Sequence, residues 1–246
     1  MSEVAIAIEN IHKSFGSKKI LDDINFEVGN NEIFGFVGLN GIGKTTLIKI
    51  IIDLLNQDQG LVRIFNKEKF LPQSRAEVAY LPEKFSPSIY LKGMEFLKLV
   101  LGFHKKTFDL NEVLNIARAL DLKEEALYSK ISSYSKGMTQ KLGLLGTFLT
   151  KAKLIILDEP MSGLDPIARI NLKKQLVNYK NAGNSIFFSS HILSDIDEIC
   201  DRIAVLHNQT IAFLGKPQEF KEKHNEQNLE KAFLMEIGVN FSNYPI

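Results

Sequence analysis

The sequence predicts an α/β fold with a mainly parallel sheet, and three observations lead to this prediction. Short apolar runs typical of buried strands, such as 33–37 and 154–157, alternate with longer segments whose apolar residues have helical spacing. A glycine-rich loop joins the first of these runs to a helix. Residues 85–135 change to helical periodicity, which indicates a subdomain inserted between two halves of the sheet. Strands separated by helices form parallel sheets, and function is expected at the carboxyl ends of their strands.

The predicted elements follow one another along a single domain at 1–246. Predicted strands cover 4–11, 24–28, 33–37, 61–65, 78–81, 154–157, 185–188, 202–206 and 210–214. Predicted helices outside the inserted block cover 43–55, 136–149 and 166–180, and another begins at Ser194. Ser194 and Asp197 have the spacing of a capping box at the start of that helix. The domain divides into core halves at 1–84 and 136–215, a helical subdomain at 85–135 and closing helices at 216–246.

The composition excludes several classes of protein. An apolar fraction of 45% and a charged fraction of 24% exclude a wholly disordered chain. The net charge of +1 argues against a broad nucleic-acid surface, which needs a basic face. The single cysteine, Cys200, excludes an internal disulfide and a cysteine-based zinc site. No apolar run approaches the roughly 18 residues that span a bilayer, and the N-terminus has no secretion signal, so we expect a cytoplasmic protein.

Residues 38–45 match the phosphate-loop pattern G-x-x-x-x-G-K-[ST] between a buried strand and an amphipathic helix. The glycines let successive N–H groups converge on an anion, and the helix N-terminus adds partial positive charge. Lys44 is expected to neutralise the β- and γ-phosphates of ATP, and the Thr45 hydroxyl to bind Mg²⁺. The alternative is a glycine-rich turn, which the full match in this context disfavours. The nucleotide-binding candidates are Gly38, Leu39, Asn40, Gly41, Ile42, Gly43, Lys44, Thr45 and Thr46.

Two adjacent carboxylates, Asp158 and Glu159, end the apolar run at 154–157. A carboxylate at the end of a buried strand beside a phosphate loop is where the second protein ligand of Mg²⁺ is expected, which assigns Asp158. Glu159 lies one position further and is expected to face the water that attacks the γ-phosphate. Two adjacent acids with different roles favour a hydrolase over a protein that only holds a nucleotide. The alternative is a strand that ends in two solvated acids.

Three further motifs indicate a family. Tyr-Ser-Lys-Gly-Met at 134–138 precedes the carboxylate strand, Ser-Gly-Leu-Asp at 162–165 follows it, and His191 follows the apolar run at 185–188. With the phosphate loop and the carboxylate pair, this ordered set resembles the nucleotide-binding subunit of an ATP-binding-cassette (ABC) transporter over nearly the whole chain. The resemblance implies a P-loop NTPase fold of the RecA-like type, with an antiparallel β subdomain and an inserted α-helical subdomain.

The resemblance also implies roles for single residues. Phe15 corresponds to the aromatic residue on which adenine stacks, although an isolated phenylalanine is more often a core residue. Asp165 is similar to an aspartate that crosses the interface between two subunits, and His191 to the histidine that contacts the γ-phosphate. In the family, the signature motif completes the ATP site of the opposing subunit in a head-to-tail dimer. Its members here are Ser135, Lys136, Gly137 and Met138.

The chain departs from the family pattern in two places. The signature is usually Leu-Ser-Gly-Gly-Gln, and here Tyr134, Lys136 and Met138 replace its first, third and fifth members. Glu83 stands where the family has a glutamine, and we expect its carboxylate to face Mg²⁺ and the attacking water as a catalytic and metal-binding candidate. This combination resembles the ABC-2-type branch of exporters, which serves drugs, antibiotics, peptides or polysaccharides through separate membrane subunits.

The resemblance implies partners as well. They are ATP, transmembrane permease subunits, and a second copy of the chain or a paralogous ATPase subunit, with the chain peripheral on the inner face of the cell membrane. Residues 85–90 are apolar and aromatic, and they are either a docking site for a membrane subunit or a packed hydrophobic mini-core. The alternative function is a soluble ABC ATPase of the iron–sulfur assembly type. A nucleic-acid partner is not expected, since the chain carries one phosphate loop and no coiled-coil insertion.

Overall fold

The computed structural model describes residues 4–239, and they form ten strands in two sheets. The strands are β1 Val4–Phe15, β2 Lys18–Gly29, β3 Ile33–Val37, β4 Gln59–Ile64, β5 Lys67–Glu68, β6 Val78–Leu81, β7 Leu154–Asp158, β8 Ser185–Ser190, β9 Arg202–His207 and β10 Thr210–Gly215. One sheet is antiparallel, with the order β2-β1-β4-β5. The other has the order β10-β9-β3-β8-β7-β6 and is parallel except at its β10 edge.

Helices connect the strands of the parallel sheet, as the alternating pattern predicts. They are α1 Lys44–Ile51, α2 Pro72–Arg75, α3 Gly93–Phe103, α4 Leu110–Ala119, α5 Glu124–Tyr128, α6 Lys136–Leu149, α7 Pro166–Asn181, α8 Leu193–Ile199, α9 Pro217–Lys223 and α10 Leu229–Glu236. Helices α3 to α5 lie between β6 and β7 in the chain. The closing helices α9 and α10 fall within the predicted segment 216–246, whose last residues, 240–246, lie outside the described part of the chain. No helix among the described residues is long and apolar enough to cross a membrane.

The α/β prediction is confirmed, but β1 and β2 are longer than the predicted 4–11 and 24–28, and two helix predictions are wrong. Helix α1 ends at Ile51 rather than at 55, because Asp53 adopts a left-handed backbone (φ 61°) and the Leu54 N–H turns back to the Lys49 carbonyl at 2.8 Å. The predicted capping box at Ser194 and Asp197 does not form. Helix α8 begins one residue earlier, with Ile192 as its N-cap residue and no side-chain cap.

The register of the parallel sheet places three strand ends at one edge. In the β3–β8 pair Val37 lies opposite Ser190, and in the β7–β8 pair Asp158 lies opposite Ser189. The phosphate loop, the carboxylate pair and the histidine segment all follow these ends in the chain. The topology therefore brings three sequence-distant motifs to the carboxyl edge of the sheet, where ligands bind in open α/β folds.

Two hydrophobic cores cover the faces of the parallel sheet. On one face, aromatic rings join the two sheets: the Phe26 ring of β2 stacks on Phe34 of β3 with centroids 5.3 Å apart, and Phe187 of β8 lies 5.9 Å from Phe34. Helix α1 packs in the same core. The other core contains α6, α7 and the helices between β6 and β7. The strands that carry the site are thus buried on both faces, which fixes where they end.

The inserted helices are tied to the segment before the signature motif by a short backbone ladder. The Ile131 N–H donates to the Leu91 carbonyl at 2.8 Å, and the Ser132 N–H to the Ile89 carbonyl at 3.2 Å. Tyr134, which replaces the usual leucine of the signature, donates its hydroxyl to the Ala126 carbonyl. A Cβ on Gly93 would lie 2.3 Å from that hydroxyl oxygen, so Tyr134 fits only because a glycine faces it.

Candidate functional site

The loop between β3 and α1 has the shape of an anion cradle. Gly41 and Gly43 adopt positive φ values of 76° and 125°, which β-carbon-bearing residues rarely adopt. Gly43 is the N-cap residue of α1, and no side chain caps this end of the helix. The first turn of α1 also holds no acidic residue. Its N–H groups and its partial positive charge are therefore available to a phosphate.

Lys44 is buried at the base of this loop, with 5% of its surface exposed. Its Nζ donates to the Gly38 carbonyl at 2.7 Å and to the Leu39 carbonyl at 3.3 Å. The same nitrogen lies 3.2 Å from Oε1 of Glu159 in an ion pair. The ammonium group is thus held where the loop closes, and its charge is compensated by a carboxylate from β7's carboxyl end.

Asp158 and Thr45 meet at the end of β7. The Thr45 hydroxyl donates to Oδ2 of Asp158 at 2.7 Å, and the Ser189 hydroxyl donates to Oδ1 at 2.5 Å. Asp158 is 1% exposed, so these two hydroxyl groups hold a buried carboxylate. A hydroxyl oxygen beside a carboxylate oxygen is the donor set that Mg²⁺ prefers, and the pair fits the ion that the sequence implies.

Glu159 is positioned by its backbone and by its neighbours. Its φ of 50° lies in the left-handed region, and its N–H donates to the carbonyl of Ser189 at 3.2 Å. One carboxylate oxygen, Oε2, accepts a hydrogen bond from His191 Nδ1 at 2.8 Å. The other, Oε1, is buried and accepts no hydrogen bond from the described residues, although Lys44 lies beside it. This oxygen retains its capacity to accept a proton or a hydrogen bond from a water molecule.

Lys44, Thr45 and Glu159 face a common cleft of about 340 Å³, and the buried Asp158 is hydrogen-bonded to Thr45. The lining of the cleft comprises Ile20, Asn40, Gly41, Gly43, Lys44, Thr45, Thr46, Glu83 and Glu159. Glu83, two residues after the end of β6, is exposed and lines the same cleft. The pKa of the nearby Tyr80 is raised to about 12, first by burial and then by the charges of Asp158 and Glu83. Asp158 and Glu83 therefore both act on Tyr80, and a cation bound near them would offset their negative charge.

Phe15 is exposed rather than part of the core. Its side chain ends β1 and is 51% exposed, which removes the simple packing explanation for this aromatic residue. The Nζ atom of Lys13 lies 5.4 Å from the ring centroid and is itself paired with Asp58 at 2.7 Å. The following strand of the hairpin, β2, supplies Ile20 to the cleft. The ring thus lies on the hairpin that forms one wall of the cleft and offers a surface for stacking.

The signature residues lie on a different element from the cleft. Ser135 is the N-cap residue of α6, where its hydroxyl accepts from the Met138 N–H at 3.2 Å. Ser135 is exposed, and no member of 135–138 lines the cleft. A Cβ on Gly137 would lie 3.1 Å from the Gly163 carbonyl, and the aliphatic stem of Lys136 packs on Gly163. The signature therefore packs closely against the segment 162–165 of the same chain.

Asp165 ends that segment as the N-cap residue of α7. Its side chain accepts from the Ala168 N–H at 2.9 Å, and this bond lowers the pKa of the carboxyl group. Two exposed apolar residues follow on α7: Ile167 is 67% exposed and Ile170 is 50% exposed. This face of the molecule thus combines the signature serine, a fixed carboxylate and uncovered apolar side chains.

Sequence reasoning missed two residues of the site. Ser189 holds both Asp158 and Glu159, through its hydroxyl and its carbonyl. A signal for it exists, because Ser189 and Ser190 form a polar pair directly after the apolar run 186–188. Ile20 lines the cleft although its sequence position resembles that of any strand residue, and no pattern in the sequence would have identified it.

Comparison with known proteins agrees with this geometry. The family model described as ABC transporter matches residues 21–162. The uncharacterised ABC transporter ATP-binding protein YdbJ of Bacillus subtilis (strain 168) is 35% identical over 241 residues, which are 95% of this chain and 75% of that protein. The bacitracin transport ATP-binding protein BcrA of Bacillus licheniformis is 32% identical over 232 residues, 92% of this chain and 74% of BcrA.

Solved structures give the same result. The structure of an ATP-binding subunit of an ABC transporter superposes with a TM-score of 0.84 at 28% identity, covering 94% of this chain and 99% of that one. A nucleotide-free ATP-binding cassette, at 22% identity and a TM-score of 0.76, shares the fold. The chain therefore belongs to the family of ABC transporter ATP-binding proteins, ATPases that hydrolyse ATP to power transport.

Proposed function

We propose that two such chains, or this chain and a paralogous subunit, bind ATP between them head to tail and hydrolyse it to power export through separate transmembrane subunits. One observation carries the proposal: the cleft holds the phosphate-binding and carboxylate groups, whereas the signature serine is exposed on another element. An ATP site completed by the signature of a second chain accounts for both facts. The proposed location is the cytoplasmic face of the cell membrane.

In the proposed reaction, Glu159 takes the proton of a water molecule through Oε1, the buried oxygen without a hydrogen bond. The water oxygen bonds to the γ-phosphorus as the bond to the β–γ bridging oxygen breaks, which releases ADP and phosphate. General-base assistance of this kind is worth about 10²–10⁴ in rate. Mg²⁺, held by Thr45 and Asp158, would supply charge neutralisation for the phosphates.

The other site residues position the reacting groups. Lys44 and the loop N–H groups bind the phosphates, so that the developing charge meets fixed donors. His191 holds Glu159 through its Nδ1 atom, and its side chain is 44% exposed toward solvent. We assign Glu83 to the cleft as a second carboxylate toward the metal, and Phe15 to stacking with adenine. Gly38 and Gly43 have no Cβ, which lets the loop backbone lie close to Leu206 and Ile20.

The dimer proposal predicts a separation of binding from hydrolysis. We expect Ser135→Arg to reduce kcat by at least about 10²-fold, the typical effect of removing one donor from a transition-state site. Its affinity for ATP as a dilute monomer should stay within about twofold of the parent, because Ser135 does not line the cleft of its own chain. Binding of a fluorescent ATP analogue and steady-state ATP hydrolysis measure the two quantities.

A matched control for this variant is Ser132→Arg, an exposed serine three residues earlier in the chain. It should leave hydrolysis near the parent rate. Ser135→Arg with full ATPase activity, or with ATP affinity lost in the monomer, would contradict assembly of the site from two chains.

The exporter assignment concerns a second surface. A groove of about 250 Å³ lies between β6, α3 and α6, and its lining includes Leu81, Phe85, Phe96, Val100 and Phe103. The predicted segment 85–90 divides here: Phe85 packs edge-on against Phe96 with centroids 5.5 Å apart, whereas Tyr90 is 83% exposed. The mini-core alternative thus describes Phe85, whereas Tyr90 is uncovered and leaves the docking alternative open. We assign the groove to a short helix of the transmembrane subunit.

The groove assignment is tested with Phe103→Asp. Phe103 is 79% exposed at the groove, and a charge there should oppose the burial of an apolar helix. We expect at least about a tenfold loss of binding to the purified membrane subunit in detergent, measured by titration. Phe70→Asp is the control, because Phe70 is also exposed but lies outside the groove. Equal binding by both variants would contradict this assignment.

The kind of cargo is the last part of the proposal. The similarity to BcrA, a bacitracin transport protein, and the Tyr-Ser-Lys-Gly-Met signature favour an antibiotic, drug or peptide-like cargo. Export is the direction proposed for the complete transporter.

A further inference from the structure

A buried carboxylate outside the ATP cleft joins the two helices that follow the segment 162–165 and His191. Asp195, in the first turn of α8, is 2% exposed. Its Oδ2 accepts hydrogen bonds from Nε, at 3.2 Å, and from Nη2 of Arg169 on α7. Its Oδ1 lies 3.3 Å from Nζ of Lys173, one turn further along α7. Two cations of α7 therefore hold the buried carboxylate of Asp195, and Lys173 also pairs with the exposed Glu198 of α8.

Helices α7 and α8 begin at or just after the two residues, Asp165 and His191, to which we assign roles at the ATP interface. The Arg169 N–H donates to the carbonyl of Asp165 at 3.0 Å, so Arg169 lies in the turn that Asp165 caps. Helix α8 begins at Leu193, two residues after His191. The clamp formed by Asp195, Arg169 and Lys173 thus spans the distance between these two starting points.

Helix α8 has no side-chain cap at its start, so the clamp adds a directional contact to the packing of its buried Leu193 and Ile196. The helix has seven residues, and its N-cap residue, Ile192, provides no side-chain cap. A helix of this length is not stable in isolation, so tertiary contacts determine its position. A guanidinium group that donates two hydrogen bonds to one carboxylate restricts direction as well as distance. The buried charge on Asp195 is compensated only while α7 keeps its place.

We propose that Asp195 is a positioning residue for ATP hydrolysis, which acts through Arg169 to hold His191 in register with Asp165. The inference rests on the proposed roles of those two residues. When Asp165 meets a partner chain, α7 and the clamp carry its position to α8 and so to the histidine that holds Glu159. Without the clamp His191 loses its position, while the phosphate loop keeps its own contacts, because α1 packs in the other hydrophobic core.

The test compares two aspartates of the same helix in the full-length protein. Asp195→Asn removes the charge that pairs with α7 while keeping the side-chain shape. Asp197→Asn is the matched control, because Asp197 pairs with Lys221 of α9 at 2.9 Å and forms no ion pair or hydrogen bond with α7 among the described residues. We expect Asp195→Asn to lower kcat for ATP hydrolysis by about 10- to 10²-fold, the scale of a small misplacement in an active site. KM for ATP should stay within about twofold, and Asp197→Asn should keep the parent kcat.

Three further variants keep the test decisive. Asp195→Glu restores the charge and should recover part of kcat, which a role in folding alone does not predict at equal thermal stability. Arg169→Gln should reproduce the loss from the other side of the clamp and decides the matter if Asp195→Asn does not fold. Asp165→Ala combined with Asp195→Asn should cost no more than the larger single change, because both act on one linkage.

The outcomes separate this inference from the proposed function. If His191→Ala abolishes hydrolysis while Asp195→Asn and Arg169→Gln keep the parent kcat, the positioning role is overturned. Equal losses for Asp195→Asn and Asp197→Asn would also overturn it, because the effect would then be general to α8. If His191→Ala itself hydrolyses ATP at the parent rate, the proposed role of the histidine fails first.

Discussion

Replacement of Glu159 by glutamine is expected to lower kcat for ATP hydrolysis by about 10²–10⁴-fold, the usual contribution of a general base. The amide keeps the size of the side chain and can still face His191. In the parent structure, Nδ1 of His191 lies 2.8 Å from Oε2 of Glu159. It has no carboxylate oxygen to accept a proton from water. It also removes the negative charge 3.2 Å from Lys44, which leaves that ammonium group free to face the phosphates.

Two measurements follow from this change. Glu159→Gln should bind ATP at least as tightly as the parent, and gel filtration in ATP and Mg²⁺ should show an accumulated dimer. Asp201→Asn is the control, because Asp201 pairs with Lys180 and does not line the cleft, and it should turn over ATP like the parent. Hydrolysis by Glu159→Gln at the parent rate would show that another group accepts the proton.

The second large effect is expected for Lys44→Ala, which should weaken ATP binding itself. Lys44 is the buried cation of the loop, and truncating one partner of a buried, hydrogen-bonded charge pair costs about 2–5 kcal/mol. At about 1.4 kcal/mol per factor of ten, the dissociation constant should rise by roughly 30-fold or more. The substitution also leaves Oε1 of Glu159 without its cation, so a negative charge faces the phosphates.

Equilibrium binding of an ATP analogue measures this effect, and Lys49→Ala is the control. Lys49 belongs to the same helix, α1, but its side chain is exposed and does not line the cleft. We expect the control to bind like the parent. Unchanged affinity in Lys44→Ala would contradict phosphate binding by this loop.

Patterns within single segments predicted most of the strands and helices. In the site, they predicted the phosphate loop and the carboxylate pair. The phosphate loop and the carboxylate pair were predictable because each is a contiguous segment whose residue types have a direct chemical reason. The strands were predictable because buried parallel strands form continuous apolar runs, as at 154–157 and 185–188. The end of α1 was not, because Asp53 adopts a left-handed conformation inside an apolar pattern that continues through Leu54 and Leu55.

Contacts between distant segments could not be predicted from the sequence. Ser189 reaches Asp158 only through the parallel register of β7 and β8, and a pattern within one strand does not contain that register. The pairing of Tyr134 with Gly93 depends on how the inserted helices fold back on the signature segment. The link between Asp195 and Arg169 depends on how α7 and α8 pack. Each of these is a tertiary contact whose partner no local pattern identifies.

Assembly of the ATP site from two chains is tested most directly by cross-linking singly substituted chains. One preparation carries Asn40→Cys in the exposed part of the phosphate loop, and the other carries Ser135→Cys in the signature, both with Glu159→Gln. The native Cys200 is a suitable background, because burial raises the pKa of its thiol and slows its reaction. A chain with Cys200 alone controls for that residue.

After the two preparations are mixed with ATP and Mg²⁺ and treated with a short thiol cross-linker, we expect a covalent dimer. It should be absent from either preparation alone and greatly reduced without ATP. A mixture that gives no dimer, while one chain carrying both substitutions cross-links within itself, would contradict a site shared between two chains.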